Sequence, residues 1–175
     1  MANALNGWTV LAPGSRMLAT GTVPGTKIQL TTRRAALPLF LALAYDYNDW
    51  IKPLRAACTG GYAYRQSNGS EGWSTHAAGA AVDINWSFEG AQRPANRKFW
   101  ALEQNAKAAL WLKEVYDVVE WGGDWGPSFW DPMHWQISHR ANVARVLKQI
   151  EFLGIDEFGV RHNDANGKKL KVPRG

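Results

Sequence analysis

Two of the chain's four histidines stand in segments whose neighbours could do chemistry. The first segment reads Ser74-Thr75-His76-Ala77-Ala78-Gly79-Ala80-Ala81-Val82-Asp83-Ile84. The second begins Trp121-Gly122-Gly123-Asp124-Trp125 and continues to Asp131-Pro132-Met133-His134-Trp135. Two imidazoles and one carboxylate are a standard catalytic zinc set, with a fourth position left for water or substrate. His76, Asp83 and His134 supply that set. In a Val-Asp-Ile strand, alternation sends Val82 and Ile84 into the core and Asp83 to the opposite face. A charge held there is expensive unless it is paired or bound to metal. The competing reading is that each histidine is a hydrogen-bonded structural residue, and spacing this loose leaves it open.

A zinc hydrolase also needs a carboxylate that takes a proton from water and passes it to the leaving amine. Asp131 precedes His134 by three residues, and Pro132 fixes the bend between them; the plainer alternative is an Asp-Pro turn. Asp124, flanked by Trp121 and Trp125, is the rival carboxylate and is expected to be structural or to orient a ligand histidine. His139 follows His134 by an odd separation on the same expected strand, so it should face away. Neither His139 nor His162 is assigned to metal.

The elements that must position these residues read as an α+β domain. Residues 7–30 form an irregular lead-in with short strands at 9–11 and 27–30. A helix capped by Thr32 runs to about Ile51, with Pro38 in its first turn. Residues 61–65 and 80–85 read as strands around a loop at 66–72. The pattern over 97–117 is helical, with Trp100 and Trp111 expected in the core. Residues 118–121 and 133–137 are further strands, and a helix from Asn142 to Phe152 stops at Gly154. The expected whole is a small antiparallel sheet flanked by helices, with residues 1–160 as one domain and 161–175 as a basic tail or linker.

Charge bears on the partner class. The net charge is +5, but Arg161, Lys168, Lys169, Lys171 and Arg174 face only Asp164 within residues 161–175. The first 160 residues are therefore nearly neutral, unlike a nucleic-acid groove. Ten tryptophans point to a broad cleft, with Trp73, Trp86, Trp125 and Trp130 as wall candidates. One cysteine excludes an internal disulfide. The first residues lack a signal-peptide pattern, and no apolar run approaches the ~20 residues of a membrane span. The expectation is a monomer without nucleic acid or membrane insertion.

These residues resemble the VanY-like D-alanyl-D-alanine carboxypeptidases together with the phage and bacterial L-alanyl-D-glutamate peptidases. Ser74, His76, Gly79, Ala81 and Asp83 fill that family's Ser-x-His-x-x-Gly-x-Ala-x-Asp pattern, and Asp131 and His134 fill its acid-x-x-His. The Trp-Gly-Gly-Asp-Trp segment is similar to that of phage members. The resemblance covers about residues 60–137 and implies a hedgehog/DD-peptidase-like fold. It also implies Zn2+ on His76, Asp83 and His134, Asp131 as catalytic acid/base, and a peptidoglycan stem peptide as substrate. Arg65 would grip a substrate carboxylate, with Ser74 helping. Many carboxypeptidase members carry glutamate where Asp131 stands; aspartate is similar to phage endolysins that cut the L-alanyl-D-glutamate bond. A D-alanyl-D-alanine carboxypeptidase and a non-catalytic wall-binding module are the alternatives.

Overall fold

The computed structural model describes residues 2–67, 71–86 and 94–170. Part of the expected loop at 66–72, and Lys171 and Arg174 of the basic stretch, lie outside those residues. The described residues form an α+β architecture with two small antiparallel sheets rather than one. Strands β1 (Leu18–Thr22) and β2 (Gln29–Arg33) form a hairpin. Helix α1 (Leu37–Trp50) follows a 3-10 turn, with Pro38 in its first turn. Strands β3 (Ala81–Asp83), β4 (Val119–Trp121) and β5 (His134–Ile137) make the second sheet in the order β3-β5-β4. Helices α2 (Pro94–Trp100) and α3 (Glu103–Val115) lie between β3 and β4, and α4 (Val143–Phe152) follows β5.

Helix α1 is the centre of the core because its sequence is apolar nearly all round. Leu37 and the whole run Leu39 to Ala44 are buried, and the helix packs against both hairpin strands, α3 and α4. Thr32 does not cap it: that residue lies in β2, its hydroxyl donates to the Arg33 carbonyl, and α1 has no side-chain cap. A missing cap costs about 1 kcal/mol, whereas each fully buried leucine contributes about 1.5–3 kcal/mol, so burial decides.

The stretch 97–117 is two helices, not one. The chain breaks at Ala101–Leu102, where the Asn105 side chain donates to the Phe99 carbonyl at 2.8 Å and takes the place of a continuing helix bond. On α3 the buried positions are Ala109, Leu112 and Val115. Trp111 lies one position off that stripe. It is 46% exposed and stacks on Trp50 instead of filling the core. Trp100 is buried as expected and begins a series of ring contacts through Trp121 and Trp135 to Tyr47. Residues 61–65 are not a strand. Tyr62 donates to Thr31, and Ala63 donates to the carbonyl of His76, so the segment lies between the hairpin and the 3-10 turn Thr75–Ala78. Residues 9–11 likewise form only an isolated bridge at Thr9. Further on, Arg161 donates to the buried Asp46 carboxylate at 3.0 Å, and the Tyr116 hydroxyl donates to the same oxygen at 2.9 Å.

Gly79 joins the turn at Thr75–Ala78 to β3. Its φ of +63° ends the turn in the left-handed region, and a Cβ there would lie 2.5 Å from the Arg33 backbone nitrogen. The left-handed conformation alone costs a non-glycine residue about 1–2 kcal/mol. Gly79→Ala is therefore expected to lose more than about 2 kcal/mol of stability in urea denaturation, strain and backbone contact together. A loss within about 0.5 kcal/mol, the range of an ordinary surface change, would refute the close approach.

Candidate metal centre

The second sheet separates polar from apolar residues face by face. In its register Asp83 stands opposite His134, and Glu120 opposite Gln136. These four share one face, and Val82, Trp121, Trp135 and Ile137 fill the other, buried one. The turn at Thr75–Ala78 brings His76 over the polar face. Ser74 caps that turn, its hydroxyl oxygen accepting from the His76 N–H at 3.3 Å.

Three donor atoms converge there. His134 Nδ1 lies 2.9 Å from Asp83 Oδ1, His76 Nε2 lies 3.2 Å from the same oxygen, and the two ring nitrogens are 3.2 Å apart. His76 Nδ1 is 2.7 Å from the Gly61 carbonyl, which can only accept, so it carries the hydrogen and Nε2 holds a lone pair. His134 Nε2 lies 3.0 Å from the Gln136 amide oxygen and 3.3 Å from the Thr75 hydroxyl, which leaves its Nδ1 lone pair facing inward. Two ring lone pairs and a carboxylate oxygen in such contact repel unless a cation lies among them. A tetrahedral zinc ion with bonds of about 2.0–2.2 Å spaces its donors about 3.3–3.5 Å apart, a few tenths of an ångström more than here. The donor set therefore fits a divalent zinc-type ion. Among the described residues this is the one such group of histidine, cysteine and acidic side chains.

Electrostatics agree with that fit. Burial works against the Asp83 carboxylate, but hydrogen bonds and charge from His134 and His76 outweigh it and hold the group well below the usual carboxylate range. Burial alone would lower the His134 pKa; the bond to Asp83 and the charge of Asp83 raise it instead. A proton is the competing cation at this position.

Asp131 enters the site through a close backbone approach. Its N–H donates to the Gly122 carbonyl at 2.9 Å, and a Cβ on Gly122 would lie 2.2 Å from the Asp131 carbonyl oxygen. The first glycine of Trp-Gly-Gly-Asp-Trp thus seats the loop that carries Asp131. Burial raises the Asp131 pKa, Asp83 adds to the rise, and His134, His76 and Arg65 oppose it. The Oδ1 atom is buried with no hydrogen-bond partner among the described residues.

Of the two places expected for Asp124, the structure gives it the structural one. It pairs with Lys113 at the surface and orients no histidine. The groups that hold the two rings are the Gly61 carbonyl and Gln136, and spacing along the chain points to neither. The only sequence signal for Gln136 is the alternation of polar with apolar positions in His134-Trp135-Gln136-Ile137 and Val119-Glu120-Trp121. His139 lies beyond the end of β5, is exposed and bonds Glu120, while His162 bonds Asp156. Arg65 is exposed, and its charge reaches Asp131. Of the expected wall residues, Trp125 lies beside the centre, its ring 5.4 Å from that of His134. Trp125 and Trp130 also line a cleft of about 490 Å³ with Trp100, Trp121 and Leu110. Trp73 stacks on Tyr64, and Trp86 lies against Gly60.

Residues 68–137 match a peptidase M15 family model described as D-alanyl-D-alanine carboxypeptidase. The matched segment contains His76, Asp83, Asp131 and His134, and it supports a relation to the VanY-like peptidases. No curated protein and no solved structure gives a significant match.

One zinc ion per chain is expected by elemental analysis, and Asp83→Ala is expected to abolish it. Retention of the ion in that variant would exclude this donor set. Because His134 must be neutral to bind metal and its pKa is raised, protons compete above the ordinary histidine value of about 6.5. Zinc affinity measured by chelator competition should fall steadily as pH drops from about 8 to about 6. A flat profile over that range would mean that His134 is not a ligand.

Proposed function

We propose that this protein is a zinc-dependent peptidoglycan hydrolase of the phage endolysin type. It cuts a stem-peptide bond next to a D-amino acid, foremost the L-alanyl-D-glutamate bond. The observation that carries this reading is the convergence of His76, Asp83 and His134 inside the segment that matches the peptidase family. The wall substrate, the action at the bacterial cell wall and the monomeric state belong to the proposal. No described helix is long and apolar enough to cross a membrane.

His76 Nε2, Asp83 Oδ1 and His134 Nδ1 would hold a zinc ion, which when bound would supply Lewis acidity toward a scissile carbonyl and water. Asp131 takes the proton from the attacking water and returns it to the departing amine; its raised pKa brings it closer to the working pH. Arg65 offers a planar fork to the carboxylate that flanks the scissile bond. The Ser74 oxygen accepts from His76, which leaves the hydroxyl hydrogen to donate to substrate. Trp125 forms the wall beside His134.

A second reading is D-alanyl-D-alanine carboxypeptidase, favoured by the description of the matching family. Digestion of purified peptidoglycan, read by mass spectrometry with a chelated control, separates the two. Stem peptides freed at their L-alanine end support the endopeptidase, and free D-alanine alone supports the carboxypeptidase. No cleavage by zinc-loaded protein would leave a non-catalytic wall-binding module.

Asp131→Ala is expected to keep its zinc and lose about 10²–10⁴-fold in turnover, the usual contribution of a positioned acid/base. Undiminished turnover would remove Asp131 from the mechanism. Arg65→Ala should lower kcat/KM by about 10–100-fold, equivalent to a charge-assisted bond of about 1.5–3 kcal/mol. An unchanged kcat/KM would make Arg65 a surface residue.

A further inference from the structure

Strand β5 carries His134 and Gln136 on one face, and β4 sets Glu120 directly opposite Gln136. The Gln136 side-chain nitrogen lies 3.1 Å from Glu120 Oε2, and its oxygen lies 3.0 Å from His134 Nε2. A carboxylate can only accept, so the end of the amide that faces Glu120 is the NH2 group. The end that faces His134 is then the oxygen, which also only accepts. His134 Nε2 must therefore carry a hydrogen and donate it, which leaves Nδ1, 2.9 Å from Asp83, as the nitrogen that can exchange its proton for a metal ion. Glu120 is itself held in place: Ser138 Oγ donates to its Oε1 at 2.7 Å, and His139 Nδ1 lies 3.1 Å from the same atom. Burial opposes the Glu120 charge, but the bonds from Ser138, Gln136 and His139 outweigh it and keep the carboxyl below its ordinary range.

We propose that Gln136, oriented by Glu120, is a positioning residue that fixes the tautomer and rotation of His134 and thereby presents Nδ1 to the metal. The inference rests on the metal reading of this site and adds a role for two residues outside the donor set. The amide is a relay. Without the Glu120 carboxylate it could flip and turn its NH2 toward Nε2, and the ring would lose its acceptor. The Thr75 hydroxyl, 3.3 Å from Nε2, can accept from Nε2–H or donate to it, so it does not choose the tautomer. Gln136 does.

The test compares zinc affinity by chelator competition in the wild type, Gln136→Leu and the double variant E120Q/Q136E. Loss of the acceptor should weaken zinc binding by about 10–100-fold, the usual effect of removing a group that orients a ligand histidine. The double variant exchanges the two functions: the carboxylate introduced at position 136 accepts from Nε2–H, and the amide introduced at position 120 donates to it. It should return affinity to within about threefold of wild type, because the acceptor on Nε2–H is restored. Should Gln136→Leu not fold, Glu120→Leu carries the same test, with weakened binding expected. Affinity unchanged within about twofold in the leucine variant would overturn the relay, since that lies far below the orienting effect.

Nitrogen-edited NMR of the zinc-free protein provides a readout without metal. His134 should show a hydrogen on Nε2 protected from exchange in the wild type and unprotected in the leucine variant. A hydrogen on Nδ1 of neutral His134 would overturn the relay. Wild-type protein that takes up no zinc would sink the metal reading, while the Nε2–H signal would still decide whether Gln136 and Glu120 hold the ring.

Discussion

The antiparallel pairing of β3 with β5 is the constraint on which the rest depends, because it sets Asp83 opposite His134. Side chains alternate along a strand, so a slip of one residue between β3 and β5 would put the two donors on opposite faces. The slip is blocked from behind. Val82, Trp135 and Ile137 are fully buried on the reverse face, and turning those of either strand outward would surrender the apolar burial that joins the sheet to the core. The polar site is therefore held in register by the apolar residues beneath it.

The surrounding elements add donors and second contacts to that pair. The turn at Thr75–Ala78, capped by Ser74 and closed by Gly79, places His76 over the sheet. The Gly61 carbonyl and the Gln136 amide then fix which nitrogen of each ring faces inward. Much of the tryptophan content serves the rigidity of this platform. Trp121 stacks on Trp135, touches Trp100, and donates to the Pro132 carbonyl at 2.8 Å, which ties the loop before β5 to the core. A site whose side chains are locked by packing and hydrogen bonds holds its geometry without paying for order at each binding event.

Two aspartates in one site are pushed in opposite directions. Asp83 stays charged because both histidines bond it, and Asp131 rises because it is buried without such bonds. Divergent environments of this kind are how one side-chain type comes to serve two roles. The division matches the roles proposed for them, one holding a cation and one exchanging a proton. It arises from position alone, since the two side chains are chemically identical.

The local pattern of the chain already contains the donor set, the α+β class and the face on which Asp83 lies. Zinc-type donors are recognisable by residue type, and alternation around Val82 and Ile84 is a property of any strand. The fully apolar run from Leu39 to Ala44 likewise implies a buried helix wherever the fold places it. Tertiary structure decided the rest. Trp111 differs from a core residue by one position on α3, a distinction made by the neighbouring Trp50. Residues 61–65 are strand-like in type, yet their backbone bonds go to a turn and to β2. Asp124 is an orienting candidate by residue type and position, but Lys113, eleven residues earlier on α3, takes it. Gln136 and Glu120 meet His134 only through the β4–β5 register, and register depends on which strands pair. Residue type and period are local quantities carried along the chain; partner choice is set by contacts between segments far apart in sequence, which only folding brings together.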